Sequence, residues 1–228
     1  MSGYFTCRHL QFPFFTLATL GWILALVSMG HSEWRVWHLK NTTPVISSGI
    51  AWVGICKACF RSTTLLLPEE RSDKICQSYG MRNTFLPKDF RAVQIICACA
   101  CILGAIGTVY SSTGLRNFYK GVPHKPVMCN PFTMAGLFFL SAGTCVSICV
   151  IWNFLSVFHN GSINFPDSFF LPPSPKTQEI GNAAYVATVS AILMLLSGVF
   201  FFACKFRMNS QVHPMIKGDE ESASAPDL

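Results

Sequence analysis

Charge is scarce in this chain. Asp, Glu, Lys and Arg make up 12% of its 228 residues, where a soluble globular domain carries about 25%. The scarcity is local as well as global. Residues 10–30, 92–112, 132–155 and 180–204 form four apolar runs, and none contains Asp, Glu, Lys, Arg or His. Ionisable side chains inside a span are the usual mark of intramembrane chemistry, so their absence argues against an enzyme, and no cofactor is implied. A basic tract is missing too. The net charge of +6 is spread over several connectors, which argues against nucleic acid as a partner. What is abundant is apolar: 51% of residues are hydrophobic, with 20 Phe and 11 Cys. This is a membrane composition, and the chain is too short for a large soluble domain beside the spans.

A spanning helix needs roughly 20 apolar residues, and each run suffices. The first has a rival reading as a secretory signal, because Ser28-Met29-Gly30 offers a small-x-small cleavage pattern. A secretory apolar core is usually about 7–15 residues, and the length of this one favours a retained span. In the second run, Gly104 and Gly107 suggest a packing face, since small residues let helices approach closely in lipid. Cys97, Cys99 and Cys101 invite a metal reading, but i, i+2, i+4 spacing does not bring three thiols to one helix face. They read as small fillers.

Four spans set both termini on one side. The expected organisation is an N-terminal tail (1–9), a first span (10–30), a large loop (31–91), a second span (92–112), a short connector (113–131), a third span (132–155), a second loop (156–179), a fourth span (180–204) and a tail (205–228) without regular structure. Counting Lys and Arg gives ten in the two loops against seven on the opposite side. That points the loops inward, although the first loop is at the limit where the count is informative, roughly 60 residues. Other signals point outward. Asn41-Thr42-Thr43 and Asn160-Gly161-Ser162 are glycosylation sequons, one in each loop. The middle connector carries Arg116, Lys120 and Lys125 and no acid. Both termini are therefore expected in the cytosol, with the protein multi-pass in the plasma membrane.

The large loop is the only polar stretch long enough to fold outside a bilayer. Trp34, Val36 and His38 alternate with Arg35 and Trp37, a strand period. Asn41-Thr42-Thr43-Pro44 is a turn signal. Val45-Ile46, residues 51–55 and residues 63–67 read as further short strands. The expected fold class is membrane α+β: a four-transmembrane-helix bundle with a small antiparallel extracellular β-sheet. So small a sheet has little core of its own, and a disulfide would matter to it. Cys56, Cys59 and Cys76 are available, leaving one over in any pairing. A metal site built on them lacks a convincing fourth ligand.

At these residues the chain resembles the claudins. The first-loop signature of that family is Trp, then Gly-Leu-Trp-x-x-Cys, then a second Cys. Trp34 matches the first Trp, Gly54-Ile55-Cys56-Lys57-Ala58-Cys59 the middle segment, and Cys76 the last Cys. Leu86-Pro87-Lys88-Asp89-Phe90, the segment 136–143, Trp152-Asn153 and Glu179-Ile180-Gly181 extend the match to Cys204. Departures are Cys56 at the third signature aromatic, Gln94 at a usual Arg, and Pro226-Asp227-Leu228 at the tail end. The chain is similar to a divergent claudin.

The resemblance implies a claudin-like fold with a Cys59–Cys76 disulfide. It implies a tight-junction protein that meets itself or other claudins in cis and in trans, surrounded by membrane lipid, and that contributes to a paracellular barrier or to ion selectivity. Gln77 occupies a position where charge often sets selectivity in that family. The loop carries nine basic and five acidic residues, a balance expected to disfavour cations in a pore, unless those charges are merely solvated. Phe165, Phe169 and Phe170 are candidates to reach the opposing cell, or to pack on the sheet and span tops. Cys129 and Cys204 are juxtamembrane candidates for palmitoylation. Scaffold capture by a PDZ groove needs an apolar terminus, which Leu228 supplies, while Pro226 removes a backbone donor, so weak or absent scaffold binding is expected. The competing function is an accessory tetraspan subunit regulating a channel or receptor in the same membrane. A connexin-type channel needs cysteines in both outer loops, and the second has none; a tetraspanin carries its cysteine-rich loop second.

Overall fold

The computed structural model of the protein describes residues 2–39, 49–63, 72–120, 130–172 and 174–223. Along the chain these form α1 (Ser2–Gly30), β1 (Arg35–His38), β2 (Ile50–Val53), β3 (Lys57–Thr63), β4 (Ser72–Ser78), α2 (Lys88–Tyr119), α3 (Pro131–Phe158), a 3-10 turn (Asp167–Phe169), β5 (Thr177–Ile180) and α4 (Asn182–Ala223). Four helical stretches are long and apolar enough to cross a membrane: Leu10–Gly30, Lys88–Tyr119, Pro131–Phe158 and Asn182–Cys204.

The helices outrun the apolar runs. An apolar run stops at the first charge, but a helix need not, because long charged side chains can reach out of the lipid while the backbone continues. Thus α2 starts at Lys88 and keeps Asp89 in its first turn, and α4 continues to Ala223 where a tail without regular structure is expected from the sequence. Where α3 begins, the local sequence is decisive: Pro131 sits at the first helical position and Asn130 Oδ1 accepts from the Phe132 amide at 3.1 Å, the arrangement that satisfies an otherwise free helix N–H.

The bundle closes through small residues. Its buried core is dominated by alanines, among them Ala18, Ala100, Ala135, Ala142, Ala184 and Ala187. A Cβ on Gly143 of α3 would lie 2.9 Å from Leu195 Cγ of α4, and one on Gly198 of α4 would lie 2.7 Å from Leu140 Cγ of α3. On α2, Gly104 receives the indole of Trp22 from α1, whose Nε1 donates to Cys101 O at 2.9 Å. Gly107 faces Phe138 and Phe139. The three α2 cysteines diverge as their spacing requires: Cys97 is buried, Cys101 half-buried and Cys99 exposed.

On one end of the bundle stands a five-stranded antiparallel sheet in the order β4-β3-β2-β1-β5. Its edge strand β5 comes from the second loop and pairs with β1, Trp37 opposite Gln178 and His38 opposite Thr177. Neither this strand, nor β4, nor residues 57–62 of β3 are among the strands expected from the sequence. The expected strand at Val45-Ile46 lies outside the described residues, as do 64–67. Strand alternation is as read: Arg35 and Trp37 are buried, Val36 and His38 only partly. Inward residues of the sheet (Trp37, Ala51, Val53, Ala58, Phe60) close over Tyr79, Leu86, Phe90, Ile163, Phe165 and Phe169 in a second core.

Candidate interaction site on the sheet

The signature residues are the bolts between sheet and bundle. Trp34 is buried and its Nε1 donates to Ser28 O at 2.7 Å, fixing how α1 hands over to β1. The β2–β3 turn bends at Gly54, where a Cβ would stand 2.7 Å from His31 O and 2.9 Å from Ser32 Cα. Only glycine permits so close a backbone approach. The Gly54 carbonyl accepts from the buried Tyr79 hydroxyl at 2.6 Å; burial pushes the Tyr79 phenol well above its ordinary range, keeping it a donor. The next residue, Ile55, drops its side chain into the bundle core, and its carbonyl accepts from Gln94 Nε2 at 2.7 Å. Cys56 is a half-buried free thiol packed against the same core, with its pKa raised by burial. Its carbonyl accepts from the Tyr79 amide at 2.9 Å.

A disulfide joins Cys59 to Cys76, which sit directly opposite on β3 and β4. It closes a 17-residue separation, worth about 3 kcal/mol in the chain-entropy picture. By register the bridge lies on the face turned away from the second core, with Trp52, Arg61 and Lys74. Lys74 Nζ stands 4.5 Å above the Trp52 ring and 3.4 Å from Glu33 Oε1; the Arg61 guanidinium carbon is 5.9 Å from the same ring. This face is aromatic and carries charges of both signs, Arg61 and Lys74 with Glu33 beside Lys74 and Glu179 opposite Val36. Gln77 belongs to the other face, opposite Ala58, and its Nε2 donates to Ser168 O at 3.0 Å, tying β4 to the second loop.

The second-loop aromatics divide. Phe165 and Phe169 are buried, with ring centres 5.4 Å apart and within 6.2 Å of Tyr79. They are core residues of the cap, 7% and 8% exposed. Phe170, held in the left-handed region at φ 54°, is 49% exposed and meets Phe60 edge-on at 6.4 Å. Asn160 of the second sequon is exposed, also left-handed at φ 51°, a conformation Asn tolerates. Asn41, Cys129, Pro226 and Leu228 lie outside the described residues. Cys204 is buried at the end of the fourth span. Among the described residues, no three His, Cys, Asp or Glu side chains gather as metal ligands would.

One pair escapes a reading of the sequence. Arg35 is buried, and its Nε donates to Asn153 Oδ1 of α3 at 2.8 Å, while Asn153 Nδ2 donates to Trp34 O at 3.2 Å. Burial lowers the Arg35 pKa to about 10, leaving it cationic at neutral pH. Arg35 shares the strand parity of Trp37, but Val36 sets an apolar residue on the other parity, so no signal in the sequence marks it as inward.

Residues 19–203 match the family model described as PMP-22/EMP/MP20/Claudin tight junction. Among curated proteins the chain is similar to Claudin-4 of Canis lupus familiaris, 27% identical over 192 residues, covering 83% of this chain and 82% of that protein. Claudin-3 of Rattus norvegicus is 25% identical over 185 residues, covering 80% and 76%. Claudin-9 of Homo sapiens is 28% identical over 137 residues, covering 60% and 58%.

Proposed function

The chain belongs to the PMP-22/EMP/MP20/claudin family, a family of structural junction proteins and not of enzymes, and from that premise we propose that it acts at cell–cell contacts as a tight-junction tetraspan protein that shapes a paracellular barrier. In this reading the sheet lies outside the cell, both termini lie in the cytosol, and the partners are the same chain or other claudins, side by side and across the gap. The observation that carries the reading is the pinned sheet. A disulfide cross-links two of its strands, and buried hydrogen bonds fasten it to the bundle, from Trp34 Nε1 to Ser28 O and from Gln94 Nε2 to Ile55 O, while the face carrying Arg61 and Lys74 is turned away from the second core. A rigid presented surface suits repeated side-by-side assembly, because little ordering is lost on contact.

Arg61 and Lys74 stand beside Trp52 on that face, Lys74 partly offset by Glu33. Where it borders a narrow water path, fixed positive charge within a Debye length, about 8 Å, disfavours cations. Gln77 adds no charge and serves to fasten β4 to the second loop. Phe170 is the aromatic free to enter an apolar pocket on the opposing surface. Arg35 adds nothing to the path, being buried.

Expression in cells that lack claudins, followed by freeze-fracture of their contacts, tests the proposal. Continuous strands are the expected result. Absence of strands, together with co-purification of a channel or receptor from the same membrane, would replace it with the accessory-subunit reading.

A further inference from the structure

Two buried thiols face each other inside the bundle. The buried stripe of α2 runs through Val93, Cys97, Ala100 and Gly104, and that of α3 through Ala142, Val146, Cys149 and Asn153. Each follows the spacing of three and four residues that makes one helix face. Where the two faces meet, Cys97 Sγ stands 2.9 Å from Cys149 Sγ. The Cys149 sulfur is also 3.7 Å from Val93 O, the carbonyl one turn before Cys97, so it lies in the groove of α2.

Ordinary packing does not account for that approach. Carbon atoms, which are smaller than sulfur, settle at about 3.5–4.0 Å. A thiol is both a weak donor and a weak acceptor, so a hydrogen bond gives little drive to come closer. A covalent S–S bond is about 2.05 Å long, so a further approach of less than ~1 Å separates the pair from a cross-link. The neighbouring α2 cysteines have other surroundings: Cys99 is exposed, and Cys101 turns to α1, its Sγ 3.7 Å from Met29 Sδ.

The level of the pair along the helices gives a bond there a task. Gln94, one turn before Cys97, holds Ile55 O, and Asn153, one turn after Cys149, holds Arg35 and Trp34 O. A link at this level would fix the spacing of α2 and α3 directly below two polar anchors of the sheet. Cys97 lies six positions beyond Arg91, about 9 Å at 1.5 Å per residue. The pair is therefore near the sheet end of the bundle, which faces the oxidising lumen of the secretory pathway while the chain folds. That placement rests on the topology proposed above.

We propose that Cys97 and Cys149 form a second disulfide, joining α2 to α3, made during folding by exchange with the disulfide of an oxidoreductase. One thiolate attacks the donor disulfide and expels one of its sulfurs; the other thiolate attacks the mixed disulfide and expels the second. The two cysteines lose two electrons and two protons, and the donor leaves as a dithiol. Exchange precedes the final docking of the helices, which leaves the two residues 5% and 0% exposed and shields the bond from reductants. The structure shows the pair in its reduced form.

The test maps the cysteines of the full chain. Expressing cells are quenched in acid, which stops exchange by protonating thiolates. The protein is denatured, alkylated with excess N-ethylmaleimide and digested, with and without prior reduction, and each cysteine is followed by mass spectrometry. Before reduction, Cys99 should carry label while Cys97 and Cys149 carry none, and fragment ions should place a link between these two. After reduction both should take label. The link should vanish in Cys97→Ala and in Cys149→Ala, and persist in Cys99→Ala combined with Cys145→Ala. The unaltered chain decides the matter even where a variant fails to fold. Label on Cys97 and Cys149 before reduction, in chains whose Cys59–Cys76 bond is intact, would overturn this disulfide alone. Label on all four would overturn it together with the outer placement of the sheet. A link from Cys97 or Cys149 to Cys56 or Cys101 would overturn it as well.

Discussion

Between α3 and α4 the contact is made by glycines receiving leucines, Gly143 against Leu195 and Gly198 against Leu140. Under the sheet the contact is made by rings, with Tyr79, Phe85, Phe165 and Phe169 packed at centre distances of 5.4–6.2 Å. The two regions of one short chain solve packing in opposite ways because their solvents differ. Lipid is as apolar as leucine, so helices in it gain by closeness, and small residues supply that. Water rewards the burial of large apolar surface, and aromatic rings supply that. The cap also carries the disulfide and a set of long-range hydrogen bonds to the loop backbone, because so small a sheet cannot hold itself by area alone.

That contrast can be broken from either side. The largest effect should come from the cap: Cys59→Ser with Cys76→Ser removes about 3 kcal/mol from the sheet. Tryptophan fluorescence should then report an earlier cap transition, while far-ultraviolet dichroism shows the bundle helices retained. Simultaneous loss of both signals would mean that the two regions are one cooperative unit. Next in size is Gly143→Leu, which overpacks the α3–α4 seam and should cost about 1–3 kcal/mol, read as a loss of helix thermal stability with the disulfide still formed. Tyr79→Phe sharpens the contrast further. It removes the hydroxyl from a buried 2.6 Å bond to Gly54 O and should lower cap stability by about 1 kcal/mol, leaving the bundle transition in place.

Smallest is a pH effect where the two regions meet. Burial raises the Cys56 pKa, so its thiolate is rarer at neutral pH than that of a fully solvated cysteine. Alkylation of the peptide containing Cys56 should be slower than that of a solvated cysteine peptide. Its rate should keep climbing with pH after the solvated thiol has passed its own midpoint, near ~8.5. Equal rates across that window would mean that Cys56 is open to water.

The bundle is legible in the sequence because its signal is redundant: four charge-free runs, each with glycines where a neighbour must approach. The cap is legible only in part. Trp34, Gly54 and the cysteines mark it, but apolar residues stand on both parities of β1, Trp34 and Val36 on one and Trp37 on the other, so that the inward face of Arg35 and Trp37 shows only in the structure. Its edge is hidden, since Thr177 to Ile180 carries no apolar alternation and becomes a strand because β1 offers free backbone groups beside it. The division of Phe165 and Phe169 from Phe170 is hidden for a related reason. Inward and outward are set by the 3-10 turn at Asp167–Phe169, which throws Phe170 into the left-handed region. Arg35 passes for an ordinary loop charge because nothing in its neighbours names Asn153, 118 positions away, as its partner.

A sheet that is both cross-linked and turned to the outside is the central claim, and one labelling experiment addresses both halves of it. Intact cells expressing the protein are treated with a membrane-impermeant maleimide, before and after an impermeant phosphine reductant, and the peptides containing Cys59 and Cys76 are followed. The predicted result is no label on either before reduction and label on both after it, without permeabilisation. Label on these cysteines before reduction, or only after the cells are opened, would contradict it.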